Sequence, residues 1–294
     1  MNFFLLLLIS LIWGSSFILI KKASVHFPPA SLGAYRMLLG AVTLAIIWKF
    51  SSIKSGWEKK YIPLLLLLSA TAYVIPFLIQ PFLISRYDSG FISLIVSLIP
   101  LITVIISIPM LKKLPNRFEL MGVTGGFLCL LILFKDGLDR SISLKHLLLW
   151  LLVPLCYSIG NTLVKMKFQS VHPLAASCLA LSMSGTALFP VSITRDVIST
   201  QGSFLQSLIA LIFLGVICTG FATALFYILI YRAGPVSAGM VAYIIPFLAL
   251  FWGWVDGESL SIYQFLALAG ILVMVWLTQK QPEKTKRQFT RVVS

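Results

Sequence analysis

Ten apolar runs, most of them near twenty residues long, constrain this chain more than any other feature. They cover Phe3 to Ile20, Ser31 to Trp48, Tyr61 to Ile84, Gly90 to Leu111, Glu119 to Phe134, His146 to Lys165, Pro173 to Ile193, Phe204 to Tyr231, Val236 to Val255 and Ile262 to Thr278. At about 1.5 Å of helical rise per residue, such runs reach across a hydrocarbon layer of roughly 30 Å. Hydrocarbon offers no water to an unpaired backbone group, so only helices or a closed barrel can span it. These runs are too long and too continuous for alternating barrel strands. The expected fold is therefore an all-α membrane protein with ten transmembrane helices. With 59% of its 294 residues apolar and 11% charged, the chain lacks the polar surface of a soluble domain. The short connections leave no room for one either.

A formal net charge of +14 raises the question of nucleic acid, but the positive residues lie in short loops and in the basic tail 279–294 rather than on a soluble basic module. No nucleic-acid partner is expected. With both termini in the cytoplasm, the inner loops and tail hold 15 Lys and Arg and the outer loops 7, and this bias sets the orientation. Lys21 and Lys22 stand on the minority side. Nothing basic precedes the first run and no small-residue cleavage site follows it, so it is expected to stay as a helix. The expected location is a bacterial inner membrane, multi-pass, with cytoplasmic ends. Cys129, Cys156, Cys178 and Cys218 fall singly in apolar runs, and His26, His146 and His172 near helix ends. Neither set has metal-site spacing, and no cofactor, metal or catalytic residue is expected.

The chain also matches itself. Shifted by 144 residues, Leu11, Trp13, Ser15 and Lys21 fall on Leu155, Tyr157, Ile159 and Lys165, and Pro29 falls on Pro173. A shift of 146 lays Leu83, Ile84 and Arg86 on Leu229, Ile230 and Arg232, and Pro100 on Pro246. Two nearby offsets in the same order indicate duplication. Each half holds an odd number of helices, so the second enters the membrane in the opposite sense. This gives two inverted five-helix repeats, 1–134 and 146–278, joined by a periplasmic linker 135–145. Inverted halves can exchange conformations and open one central site alternately to either side.

Ile12-Trp13-Gly14-Ser15-Ser16-Phe17, the Tyr35-Arg36 pair, the serines before Pro100, Ala238 to Pro246, and Gly257-Glu258-Ser259-Leu260 with Gln264 together resemble the drug/metabolite transporter superfamily in its EamA-like branch. The resemblance spans residues 1–278. It departs at Lys112 and Lys113, where the family pattern often has the Gly-Glu pair found here at 257 and 258. It implies a transporter rather than an enzyme, with the fifth and tenth helices at the periphery. Members export amino acids and other metabolites, import sugars or exchange phosphorylated compounds. Export of amino acids or related amphipathic compounds is the preferred expectation. A sugar or phosphorylated-metabolite exchanger is the alternative within transport, and a membrane-embedded enzyme on lipid-linked substrates the alternative outside it.

A site at mid-depth, about ten residues and roughly 15 Å from the helix ends, selects Trp13, Tyr157, Pro100 and Pro246. The two prolines are expected as hinges, since each frees a carbonyl four residues earlier, at Val96 and Ala242. Ser16, Tyr73, Gln80, Ser97, Asn161, Thr223 and Tyr243 complete the expected substrate-binding set with Trp13 and Tyr157. Gln80 and Asn161 should face protein or water rather than lipid. For each Ser or Thr, a bond to its own helix backbone is the competing reading. Arg36 is expected as a structural charge held by an outer-loop acid such as Asp88, Asp256 or Glu258, with a substrate carboxylate or phosphate as the alternative. Trp48, Trp57, Trp150 and Trp276 are expected in the interfacial belt. No Asp or Glu lies in the middle of a run, which points to facilitated diffusion or exchange rather than proton coupling. The expected partners are a small-molecule substrate and the lipid bilayer, and the expected state is a monomer or weak homodimer, with Gly122 and Gly126 used for packing inside the bundle.

Overall fold

The computed structural model describes residues 2–51, 56–111, 117–167, 171–193, 202–226, 228–229 and 241–278. Among these residues every regular element is helical. Among the described residues eight helices are long and apolar enough to cross a membrane. They are α1 (Phe3–Ala23), α2 (Pro29–Lys49), α3 (Lys59–Ile84), α4 (Ser89–Met110), α5 (Arg117–Asp139), α6 (Leu144–Leu163), α7 (Pro173–Ser192) and α8 (Phe204–Phe226). Two shorter apolar helices follow, α9 (Val241–Val255) and α10 (Ile262–Leu277). Residue 227 and residues 230–240 between α8 and α9, Lys112 and Lys113, and the basic tail lie outside the described residues.

Several helices run past the apolar limits, each for an electrostatic reason. α1 continues through Lys21 and Lys22 because acids of the α9–α10 connection receive both ammonium groups. α5 continues to Asp139 because Asp136 is bonded to Arg140 and Ser261. Large apolar side chains face outward along the bundle, Phe4 at 67% and Leu131 at 62% exposure among them, as a surface in contact with lipid tails requires.

The packing joins the two halves of the chain helix by helix. α1 lies on α9 and α8, α2 on α7 and α8, α3 on α6 and α7, α4 on α6 and α9, and α5 on α10. Exchanging each helix for the one five places away maps these pairs onto one another, whereas the smaller α4–α10 and α5–α6 contacts have no counterpart of like extent among the described residues. The α5–α10 contact is made through small residues: a Cβ on Gly125 would meet Met274 Sδ at 2.1 Å and one on Gly270 would meet Cys129 Sγ at 2.5 Å. Gly126 faces Leu101 of α4.

Two helices at corresponding places in the halves are locally unwound. In α3 the segment Ser69–Val74 is a π-helix, and in α8 the segment Phe213–Phe221 is one too. A π-turn shifts the backbone bonds by one residue, which changes the carbonyls available to neighbours. α4 is also irregular, with Leu94–Leu98 wound as a 3-10 helix just before Pro100. There the carbonyl of Val96 accepts the Ile99 N–H, so the tighter winding takes in the group that the proline would have freed. From Ser89 to Leu98, α4 is buried residue by residue, whereas between Ile99 and Ile106 all but Leu101 are partly exposed.

One expected belt residue belongs to the core instead. Trp150 is 1% exposed, stacks on Phe91 with ring centroids 4.9 Å apart, and donates its Nε1–H to the Ile92 carbonyl at 2.9 Å. A satisfied indole N–H allows full burial, and hydropathy cannot distinguish such a site from an interfacial one. Trp276, by contrast, is 57% exposed.

Candidate functional site

The interior polar site is assembled from α1, α2, α3, α6 and α8. In α8 the Ala222 N–H reaches back to the Ile217 carbonyl, as π-winding dictates, and so does not serve Cys218. Trp13 of α1 takes that carbonyl, its Nε1 lying 2.8 Å from Cys218 O. The indole also packs on Phe226, with centroids 5.0 Å apart.

Arg36 enters the same region from α2. Its neighbour one turn along, Gly40, is what lets α2 come so close to α8, since a Cβ there would stand 2.6 Å from Thr219 Cγ2. Arg36 is 5% exposed, donates Nε–H to Thr219 Oγ1 at 2.8 Å, and lies over the Phe77 ring with 4.1 Å to its centroid. Tyr157 and Cys218 are within electrostatic reach of the guanidinium, and Gln80 lies beside the Tyr157 hydroxyl. Trp13, Gln80 and Tyr157 of the expected set therefore meet around Arg36. Tyr73 joins at the edge, its ring 5.9 Å from that of Phe77.

The remaining expected residues are placed differently. Ser16 and Ser97 are buried, and their hydroxyls bond Trp13 O and Leu94 O of their own helices, both at 2.6 Å. Thr223 likewise bonds its own helix, at Thr219 O. Asn161 is exposed, one turn beyond Tyr157 on α6. Tyr243 and Pro100 are partly buried, and Pro246 is fully buried in α9. A lateral cleft of about 540 Å³ between α2, α3, α6 and α7, lined by Pro29, Leu78, Phe82 and Leu188 among others, contains none of these residues.

A second polar cluster closes the end of the bundle that carries the connections after α1, α3, α5 and α9. Its centre is Glu258. The chain leaves α9 through Gly257, at φ 84°, and the Glu258 N–H returns to Gly253 O at 2.9 Å, a glycine-ended helix stop. This turn aims the Glu258 carboxylate at the start of α4, where it accepts from Ser89 N and Gly90 N at 2.9 and 2.8 Å and from Ser89 Oγ at 2.7 Å. A carboxylate suits the positive end of the α4 dipole. Gly253 has to be glycine, because a Cβ there would lie 2.3 Å from Glu258 Oε2. Lys21 bridges Glu258 and Asp256, each at 2.8 Å, and Lys22 binds Asp256. Arg140 bridges Asp88 at 2.8 Å and Asp136 at 3.1 Å.

Burial pushes the Glu258 carboxyl up, but Lys21, the two backbone N–H groups and the Ser89 hydroxyl outweigh it and hold the group below its ordinary 4.5. Asp256 is likewise pushed up by burial and held below 3.8 by Lys21 and Lys22. Asp88 goes the other way. Burial and the Glu258 charge raise it despite Arg140. The acids expected to hold Arg36 thus serve Lys21, Lys22 and Arg140. The pattern Gly253-x-x-x-Gly257-Glu258 is the sequence signal that marks this cap. Among the described residues no group of three or more His, Cys, Asp or Glu side chains could hold a metal ion.

Comparison with known proteins agrees with a duplicated membrane bundle. Residues 1–135 and 144–279 each match the model of the EamA-like transporter family. The uncharacterized transporter YoaV of Bacillus subtilis is 25% identical over 84% of this chain and 86% of its own length. An uncharacterized transporter of Archaeoglobus fulgidus is 24% identical over 93% and 96%, and protein PagO of Salmonella typhimurium 21% identical over 93% and 91%. One solved crystal structure superposes with a TM-score of 0.67 over 95% of this chain and 96% of its own, at 15% identity, a likeness of fold.

Proposed function

The chain belongs to the EamA-like transporter family, and on that premise we propose that it moves small metabolites, amino acids or related amphipathic compounds, outward by alternating access. The proposal has ten crossings in two five-helix repeats of opposite membrane sense, 1–134 and 146–278, linked by the periplasmic stretch 135–145. Both termini, with the tail 279–294, are assigned to the cytoplasm of a bacterial inner membrane, and the protein to a monomer or weak dimer.

The observation that carries this reading is the meeting of Trp13 and Arg36 from one half with Tyr157, Cys218 and Thr219 from the other around one interior point. The neighbour pattern that survives a five-helix exchange and the paired π-segments support the repeat. Tight burial of α4 from Ser89 to Leu98, under the Glu258 cap, supports a form sealed at that end and looser toward the other. On this reading the site faces the cytoplasm, and opening outward requires the cap to part. Tyr73, Asn161 and Tyr243 line the route to the site, Ser16, Ser97 and Thr223 shape its walls, and Pro100 and Pro246 serve as hinges.

Mid-depth carboxylates are the usual proton relays of coupled carriers. The acids nearest the site belong to the end cap, which favours facilitated diffusion or exchange. The test is proteoliposome flux of labelled neutral and aromatic amino acids. Uptake that accelerates with the same solute preloaded, and that needs no pH gradient, is expected. Absence of flux for every solute defeats the transport assignment, and accumulation only under a gradient defeats the energetics.

A further inference from the structure

A buried guanidinium at membrane depth needs both charge and hydrogen-bond partners. Arg36 has little of either. Its Nε is bonded to a neutral hydroxyl, that of Thr219, its face rests on the neutral Phe77 ring, and its buried Nη1 has no hydrogen-bond partner. Among the described residues it makes no ion pair, since Asp256 and Glu258 are engaged by Lys21 and Lys22, and Asp88 and Asp136 by Arg140. The position is nevertheless built closely around this side chain, with Gly40 clearing space beside Thr219 and Tyr157, Gln80 and Cys218 grouped about it.

We propose that Arg36 is the anchor for the carboxylate of the transported solute, a small monocarboxylate with an apolar or aromatic body, amino acids included. This rests on the transport assignment above and names the chemistry of the same site. A carboxylate oxygen on Nη1 supplies both the missing acceptor and the missing charge, and the planar fork matches a carboxylate geometrically. The surroundings select against multiply charged solutes: Tyr157, Gln80, Cys218 and Thr219 are neutral, and Lys21 and Lys22 are held at the capped end by Asp256 and Glu258. Trp13 has its N–H engaged by Cys218 O, so it offers a ring face to the solute body rather than a donor.

The experiment is ligand stabilisation of the detergent-purified full chain. The probes are L-phenylalanine, L-leucine and 3-phenylpropionate, each beside its primary amide, with inorganic phosphate as a further arm. Carboxylates are expected to raise the melting temperature saturably, and the amides to bind at least about ten-fold more weakly, as loss of a charge-assisted bond implies. Arg36→Gln should abolish that preference, and Arg36→Lys should restore part of it. The wild-type comparison of acid with amide needs no variant, so a misfolded Arg36→Gln does not remove the test. Equal binding of acids and amides, no response to any carboxylate, a stronger response to phosphate, or an unchanged preference in folded Arg36→Gln each overturns the proposal. Wild-type proteoliposomes separate the two claims. Flux of an amide but not its acid removes the anchor and leaves transport standing, whereas carboxylate binding through Arg36 without flux leaves the anchor and removes transport.

Discussion

Lys21 Nζ stands 2.8 Å from Glu258 Oε1, tying the last turn of α1 to the loop between α9 and α10 and, through the same carboxylate, to the start of α4. The two residues are not equally important to this knot. Glu258 holds four bonds with its side chain 1% exposed, while Lys21 is 32% exposed and shares Asp256 with Lys22. Glu258→Ala should therefore destabilise the protein by about 3–5 kcal/mol, the usual cost of stripping a partner from buried charges, and Lys21→Met by about 1–2 kcal/mol. Thermal unfolding in detergent gives both values. Equal losses would show that the bonds to α4 contribute nothing.

The same cap sets an acid limit. Glu258 and Asp256 have folded values below 4.5 and 3.8, so their contribution is complete above those values and disappears as pH falls through the lower folded ones. Asp88, raised above 3.8, has the opposite sign and favours the folded state at low pH, which partly offsets the loss. Melting temperature should fall as pH drops below about 4.5, the unfolded value of a glutamate carboxyl. In Glu258→Gln the fall should be shallower. An identical slope in the variant would assign the acid sensitivity to other groups.

Trp13 and Cys218 offer a test that leaves charge aside. Trp13→Phe keeps a ring against Phe226 but leaves the Cys218 carbonyl without the indole N–H that π-winding of α8 reserved for it. A lost buried hydrogen bond of this kind costs about 1–2 kcal/mol. If the indole also lines the solute path, flux in proteoliposomes should fall further than stability does, and the comparison of the two readouts separates a wall of the site from a strut.

How much of this was legible in the sequence depends on the kind of interaction. The helices follow from hydropathy, and Trp13, Gln80 and Tyr157 were selected from depth and polarity alone, because membrane depth is counted along the chain. Partners across the bundle are not counted that way. Arg36 was expected to hold Asp88, Asp256 or Glu258, and it meets Thr219, because the α9 exit turns Glu258 toward Ser89 and Gly90 instead. Trp150 was expected at the interface, and the Ile92 carbonyl with the stacked Phe91 ring explains its burial. Asn161 and Gln80 carry the same amide chemistry, yet one is exposed and the other 5% exposed, a difference set by helix rotation.

A close approach of α2 to α8 gives a prediction in which two changes should partly cancel. At Gly40 an added Cβ would lie 2.6 Å from Thr219 Cγ2 and 3.0 Å from Thr219 Cβ, so Gly40→Ala forces the helices apart just beside the Arg36 bond and should cost about 1–3 kcal/mol as overpacking. Thr219→Ser removes Cγ2 and keeps the hydroxyl that accepts from Arg36 Nε, so alone it should cost well under that. Together the two should be less damaging than their sum, with a coupling of about 1 kcal/mol from the relieved clash. Thr219→Val, which keeps the bulk and loses the acceptor, should give no such relief with Gly40→Ala and should strip the guanidinium of its Nε partner. Melting temperatures of the single and double variants measure the coupling, and strict additivity of Gly40→Ala with Thr219→Ser would mean that α2 and α8 do not meet through this pair.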